Sequence, residues 1–204
     1  MIKTIDLSLP DNARKLYADL TEYELETWIN NAGMGNYATV AEQNLDKIEK
    51  MLRLNVEAVT ILSSLFTADY QNVEGTQLIN ISSRGGYVIV PAAVTYCATK
   101  FYVGAFTEGL AWELKQNNAA MQAKVLAPAA TQTEFGKIAN DVSEYDYNRA
   151  FLKYHTAKQM SEFLLQLYHS DKTVGLVDWE TFTFTLRDPI FNYAGISQHN
   201  QQIN

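Results

Sequence analysis

One cysteine in 204 residues, Cys97, leaves no partner for an internal disulfide. The three histidines, His155, His169 and His199, are widely spaced and have no cysteine near them, so no metal-ligand spacing is present. Basic residues are too few to build a global positive field: net charge is −7, which argues against nucleic acid or anionic lipid as a partner. The longest uninterrupted apolar stretches fall well short of the roughly 20 residues a membrane span needs. The N-terminus lacks a charged-then-apolar signal segment. There is no internal repeat and no low-complexity linker. Nor is there a dinucleotide fingerprint: Gly33 and Gly35 stand too close together, and Gly85 and Gly86 follow a strand pattern. At 204 residues, with a hydrophobic content of 47 % that is ordinary for globular chains, one domain over residues 1–204 is expected, and these features together favour a soluble cytoplasmic protein.

What is present falls into alternating strand and helix patterns. Residues 2–7 read as a strand, and Ser8-Leu9-Pro10-Asp11 as a helix start with Ser8 as N-cap. Glu26 to Asn30 is a second strand, followed by a turn at Gly33 and Gly35. A long helix is expected over 41–70, with Leu45, Ile48, Leu52, Val56, Val59, Leu62 and Phe66 along one side. Residues 77–82 form a strand, a helix containing Tyr96 runs to about Lys115, and 123–127 is a further strand. Residues 134–155, polar and aromatic without clear periodicity, are expected to cover a site. Thr156 and Gln159 offer a capping box for a helix reaching about Tyr168. Thr181 to Arg187 alternates like a strand. The polar tail 198–204 is expected to fray.

The chemistry concentrates in Tyr96-Cys97-Ala98-Thr99-Lys100. Residues four apart on a helix share a face. A free tyrosine has a pKa of about 10, and a positive charge beside it favours the phenolate. Tyr96 and Lys100 are therefore either a general acid/base pair or a tyrosine on whose ring the lysine stem packs. Upstream, Leu78 to Ser83 reads as a buried strand ending in hydroxyls. Asn30-Asn31-Ala32-Gly33 follows the apolar Trp28-Ile29. Asn55 lies on the apolar side of the long helix, where it either makes a structural hydrogen bond at a helix irregularity or serves the reaction. Pro128 and Ala129 follow the strand 123–127, with Thr131 and Thr133 beyond. Cys97 reads as a small packed side chain rather than a catalytic thiol.

From about Ile2 to about Arg187 this set of motifs, in this order, resembles the short-chain dehydrogenase/reductase family in its classical form. The resemblance implies a Rossmann-like, doubly wound parallel sheet and hydride transfer between NAD or NADP and a small carbonyl or alcohol. It implies Tyr96 as the proton donor or acceptor, Lys100 lowering its pKa and holding the nicotinamide ribose, Ser83 binding the substrate oxygen, and Asn55 completing a proton relay. It also implies Asp6, Asn30, Gly33, Pro128 and Thr133 as cofactor contacts besides Tyr96 and Lys100. A homo-oligomer built on helices 41–70 and 95–115 follows from the same resemblance. Two departures stand out. Ala129 replaces a glycine, a small cost where φ is negative. The family's glycine-rich pyrophosphate turn and first two strands have no counterpart, roughly 55 residues if a βαβ unit takes ~30. The sheet is thus expected to lack its first two strands, and cofactor preference is unreadable. Residues 2–7 are expected to pair with 27–30, unless a second chain covers that edge. The competing expectation is a catalytically inactive interaction or scaffold protein that retains the site residues as relics.

Overall fold

Short apolar runs with β-branched residues pair through their backbones into a mostly parallel sheet in the computed structural model, which describes residues 2–194. In chain order the strands are β1 (Thr27–Asn30), β2 (Gln77–Ile81), β3 (Gln122–Ala127), β4 (Thr131–Gln132), β5 (His155–Thr156), β6 (Val174–Val177) and β7 (Phe184–Arg187). The main sheet has the order β1-β2-β3-β6-β7. Its first four strands are parallel, and β7 returns antiparallel to β6. β4 and β5 make a separate parallel pair. The helices are α1 (Asn12–Ala18), α2 (Leu45–Leu52), α3 (Val59–Tyr70), α4 (Val94–Gln116), α5 (Phe135–Asn140), α6 (Tyr147–Ala150) and α7 (Ala157–Tyr168).

Side chains alternate across a strand, so a sheet buried on both faces needs apolar residues at both parities. Leu78 and Ala123 face a cluster built with Tyr17, Ala58, Leu62, Phe66 and Leu114, from α1, α3, α4 and the turn between α2 and α3. Ile79 and Leu126 face the opposite cluster, with Met160 and Leu167 of α7. Helices therefore cover both faces, as a doubly wound α/β fold requires. A buried polar chain joins the layers: Asn30 Nδ2 donates to Asn80 Oδ1 at 2.8 Å, and Asn80 Nδ2 donates to Thr107 Oγ1 at 2.9 Å.

Several local expectations are corrected. Residues 2–7 form no strand and do not pair with β1, which is left as an edge of the described sheet. The reason is local. Asp6 Oδ1 accepts from Ser8 N at 2.9 Å and Ser8 Oγ at 2.6 Å, a side-chain-backed turn that competes with strand pairing. Ser8 is thereby consumed and does not cap α1; Asp11 precedes that helix in a left-handed conformation, φ 64°. The helix expected over 41–70 begins at Leu45, where Asn44 Oδ1 accepts from Lys47 N at 3.1 Å. It then widens into a π turn over Arg53–Ala58 before α3. Leu45–Tyr70 is, by length and composition, long and apolar enough to cross a membrane, contrary to the reading of short apolar stretches. Here Met51, Asn55, Leu62 and Phe66 are buried in the core. β6 escapes the sequence reading, and β7 is shorter than 181–187. Asp178 Oδ1 accepts from the N–H groups of Glu180 and Thr181, which makes the start of that segment a turn. The capping box of Thr156 and Gln159 is present. The tail 198–204 and His199 lie outside the described residues.

His155 illustrates a titratable group held by this packing. It is 8 % exposed, stacks on Phe182 at 4.5 Å and meets Phe163 edge-on. Its Nδ1 has no hydrogen-bond partner within the described structure. Burial lowers its pKa below the usual 6.5. The unfolded chain therefore takes up the proton first as pH falls. Stability should drop as pH falls below 6.5 toward the depressed folded value. Thermal melts between pH 7.5 and 5 test this: His155→Phe should flatten the acid side of the curve, and a curve unchanged by that substitution refutes the assignment.

Candidate active site

β1, β2 and β3 run parallel and end at one level, so the loops after them converge. The crevice outside the carboxyl ends of parallel strands is where open α/β sheets bind ligands. A cavity of about 690 Å³ opens there. Asn31 and Gly33 after β1, Ser82 and Ser83 after β2, and Pro128 after β3 all line it, as do Tyr96, Lys100 and Thr133.

Ser83 reaches its place through two glycines. A Cβ on Gly86 would stand 2.4 Å from Ser82 Oγ and 2.5 Å from the Lys100 carbonyl oxygen. Only a bare α-carbon lets this turn lie flat on α4. Ser82 Oγ then donates to Lys100 O at 2.7 Å, and Gly85 N donates to Ser83 Oγ at 3.0 Å. The Ser83 hydroxyl stands beside the Tyr96 phenol and favours its ionised form.

Tyr96 and Lys100 lie one turn apart near the start of α4. Lys100 is 6 % exposed and donates from Nζ to Ile81 O at 2.9 Å. Its ammonium stands 5.9 Å from the centre of the Tyr96 ring. Burial raises the Tyr96 pKa, and the neighbouring Ser83 hydroxyl opposes that rise. Burial lowers the Lys100 pKa to about 8. At pH 7 the pair is thus a phenol beside an ammonium. Phe135 of α5 closes over the Tyr96 ring, with centroids 5.6 Å apart.

Asn55 sits in the π turn and is fully buried. Its Nδ2 donates to Met34 O at 2.8 Å and to Thr99 Oγ1 at 3.1 Å, while Oδ1 accepts from Met34 N at 3.0 Å. It pins the loop after β1 to the helix that carries Lys100. A Cβ on Gly33 would stand 3.3 Å from Asn55 Oδ1 and 3.4 Å from Lys100 Nζ. The bare glycine leaves the lysine's flank open.

Two expected cofactor contacts lie elsewhere. The Asn30 side chain belongs to the buried polar chain under the sheet, and its neighbour Asn31 faces the cavity instead. Asp6 is outside the cavity lining, its carboxylate held by Ser8 and standing 3.6 Å from Lys50. Ser8 lowers its pKa. Pro128 accepts from Arg84 N at 2.7 Å, which ties the ends of β2 and β3 together. Thr133 Oγ1 accepts from Phe135 N at 3.2 Å at the start of α5. Ala129 has negative φ, so glycine is not required there. Cys97 is buried and accepts from Val90 N at 3.3 Å, a packed side chain.

Sequence reasoning missed Arg84 and Tyr37 as cavity residues, whereas Phe135 falls in the segment expected to cover the site. Segment 134–155 does stand over the site, through Tyr145, Tyr147 and Phe151. Lys47 fastens it to α2, donating to Asp141 Oδ2 at 2.7 Å and to Ile138 O at 3.1 Å. Spacing alone cannot reveal such a long-range anchor.

A model of the short chain dehydrogenase family matches residues 1–143. An uncharacterized oxidoreductase of Staphylococcus saprophyticus is 28 % identical over 149 residues, 71 % of this chain and 58 % of that protein. Dehydrogenase/reductase SDR family member 11 of Homo sapiens is 29 % identical over 136 residues, 64 % of this chain and 52 % of that protein. The chain spans about half the length of these curated relatives. A short-chain dehydrogenase from Sphingobium yanoikuyae in complex with NADPH superimposes with a TM-score of 0.74 at 23 % identity, over 85 % of this chain and 66 % of that one.

Proposed function

This chain belongs to the short-chain dehydrogenase/reductase family, and we propose that it is a cytoplasmic NAD- or NADP-dependent oxidoreductase acting on a small carbonyl or alcohol. The observation that carries this reading is the convergence of Ser83, Tyr96 and Lys100 on one cavity at the strand ends. The residues present fit the nicotinamide-ribose half of such a cofactor. Lys100 spends one of its three N–H donors on Ile81 and keeps two beside the space that Gly33 leaves. Asn31, Pro128 and Thr133 border the same space. When bound, the nicotinamide supplies or takes the hydride.

The chain's own residues handle the oxygen and its proton. Ser83 Oγ already accepts from Gly85 N, so its O–H is free to donate to a carbonyl oxygen. Tyr96 donates its phenolic proton to that oxygen in reduction and receives it in oxidation. The Lys100 ammonium stabilises the phenolate left behind. Asn55 keeps the Gly33 loop and the Lys100 helix in register; as a relay member it would pass protons toward Lys100. Phe135, Tyr145 and Tyr147 exclude water from the reacting atoms. Residues 1–204 act as one domain in this reading. Its oligomer contact runs along helices 41–70 and 95–115, where Leu45, Leu52 and Tyr102 are exposed.

A second reading, a scaffold without turnover, draws on the diphosphate: among the described residues no glycine-rich turn opens a helix. Calorimetric titration of the purified chain with NADH and NADPH separates the two. Binding that weakens about tenfold or more in Lys100→Ala, the loss of a charge-assisted hydrogen bond, is the expected result. A folded protein that binds neither nucleotide would overturn the enzyme reading for this chain.

A further inference from the structure

Among the described residues, Arg84 is the cavity-lining guanidinium, and no ion pair or side-chain hydrogen bond holds it. Its backbone is rigid: its N–H donates to Pro128 O, and its carbonyl accepts from Tyr87 N at 3.0 Å and Val88 N at 3.1 Å. The side chain leaves that fixed turn one residue beyond Ser83. Its guanidinium carbon stands 6.0 Å from the Phe182 ring centre. Its field also reaches Tyr37 on the cavity wall, where it opposes the rise in pKa that burial imposes. An arginine stays charged at every accessible pH, and this half-buried one faces an aromatic ring but no carboxylate. The nearest acidic candidate in the lining, Glu134, is exposed at the rim and makes no ion pair with it. In a chain of net charge −7, the cavity lining includes two cations, Arg84 and Lys100. Tyr37, Phe135, Tyr145 and Phe151 supply apolar and aromatic wall around them.

We propose that Arg84 anchors an anionic group of the substrate, and that the site takes a carbonyl or alcohol compound bearing a carboxylate on an apolar, aryl-sized body. The proposal rests on the reading of Ser83 and Tyr96 as the groups that bind the reacting oxygen. The planar fork of a guanidinium matches a carboxylate through two parallel hydrogen bonds. Because Arg84 follows Ser83 directly, it fixes which way round the substrate lies, with the carbonyl oxygen at Ser83 and the carboxylate beyond it. Arg84 is thus a specificity-determining residue rather than a proton-transfer group.

The test uses benzoylformate and its methyl ester, which share the ketone and the ring and differ in the charge. Both are titrated calorimetrically against wild type, Arg84→Met and Arg84→Lys, with NADPH titrated in parallel and the melting temperature as a control for folding. Wild type should bind the acid about 10- to 100-fold more tightly than the ester, the range expected for one charge-assisted contact. R84M should abolish that preference, R84K should restore part of it, and nucleotide affinity should not change. Equal binding of acid and ester by wild type, or a preference that survives in R84M, overturns the proposal. A loss of NADPH affinity in R84M also overturns it, by assigning Arg84 to the cofactor. Acid-selective binding by a chain that binds no nucleotide would leave the anion anchor standing while removing the oxidoreductase reading.

Discussion

Tyr96→Phe should lower kcat for carbonyl reduction by roughly 1,000-fold, within the range general acid catalysis supplies, and leave KM and the melting temperature nearly unchanged. The ring stays in place against Phe135, and only the hydroxyl is removed. A pH profile tests the same assignment without mutation. Burial places the Tyr96 pKa above its ordinary value, so near pH 7 the phenol holds the proton that reduction requires. Lys100, brought to about 8, is charged below that pH and neutral above it. Its charge stabilises the phenolate formed on proton donation. The reductive rate should therefore hold to about pH 8 and fall above it, even though the tyrosine itself is still protonated there. In Lys100→Met the fall near pH 8 should vanish along with most of the activity. A wild-type rate that climbs through pH 8 to 9, or near-normal kcat in the Tyr96→Phe variant, would refute the assignment.

The parts of this site that sequence makes legible are those set by local spacing. Tyr96 and Lys100 meet because one helical turn separates them, and Ser83 joins them because an apolar run ends there. The capping box at Thr156 is equally local. What escapes depends on long-range competition. Residues 2–7 read as a short strand, yet the Asp6 carboxylate captures Ser8 and turns the chain away. Asn30 and Asn31 look interchangeable in a motif, and strand parity decides which one goes under the sheet. Asn55 reads from sequence as either structural or functional; its amide holds both backbone groups of Met34, twenty-one residues earlier, a partner no periodicity reveals. β6 escapes because Val174-Gly175-Leu176-Val177 is too short to distinguish from loop until β3 and β7 enclose it. Arg84 carries no signal of its own: a charged residue after a strand reads as solvated, and only the structure places it in the lining of the cavity.

Lys124→Met should destabilise the protein by about 2–4 kcal/mol, judged from the net worth of hydrogen bonds to a buried charge. Lys124 lies in the middle of β3, 2 % exposed, where an alternating strand would place an apolar residue. Its Nζ donates to Leu167 O at 3.1 Å, Tyr168 O at 2.9 Å and Ser170 O at 2.7 Å. Leu167 and Tyr168 are the last residues of α7 and Ser170 lies just beyond it, so these carbonyls have no N–H of the helix itself to accept from, and a cation there also meets the negative end of the helix dipole. Burial pulls the lysine pKa down to about 8, so at pH 7 the side chain remains an ammonium with a donor for each carbonyl. Two effects oppose each other in the variant. Methionine escapes the cost of burying a charge, but it turns an apolar stem toward carbonyls whose hydrogen bonds it cannot replace. Leu167 O keeps the bonds from Ser170 N and Oγ; Tyr168 O and Ser170 O lose the lysine. We expect the second effect to win, because removing one partner of a buried polar cluster costs more than the cluster contributes net. The melting temperature should fall by about 4–16 °C for a chain of this size. Amide exchange should accelerate first at the end of α7, before the β2–β3 amides follow. Lys158→Met, on the exposed side of α7, serves as the control and should change little. A melting temperature within a degree of wild type would mean that the end of α7 is held by its apolar packing against Ile79, Leu126 and Val177 alone.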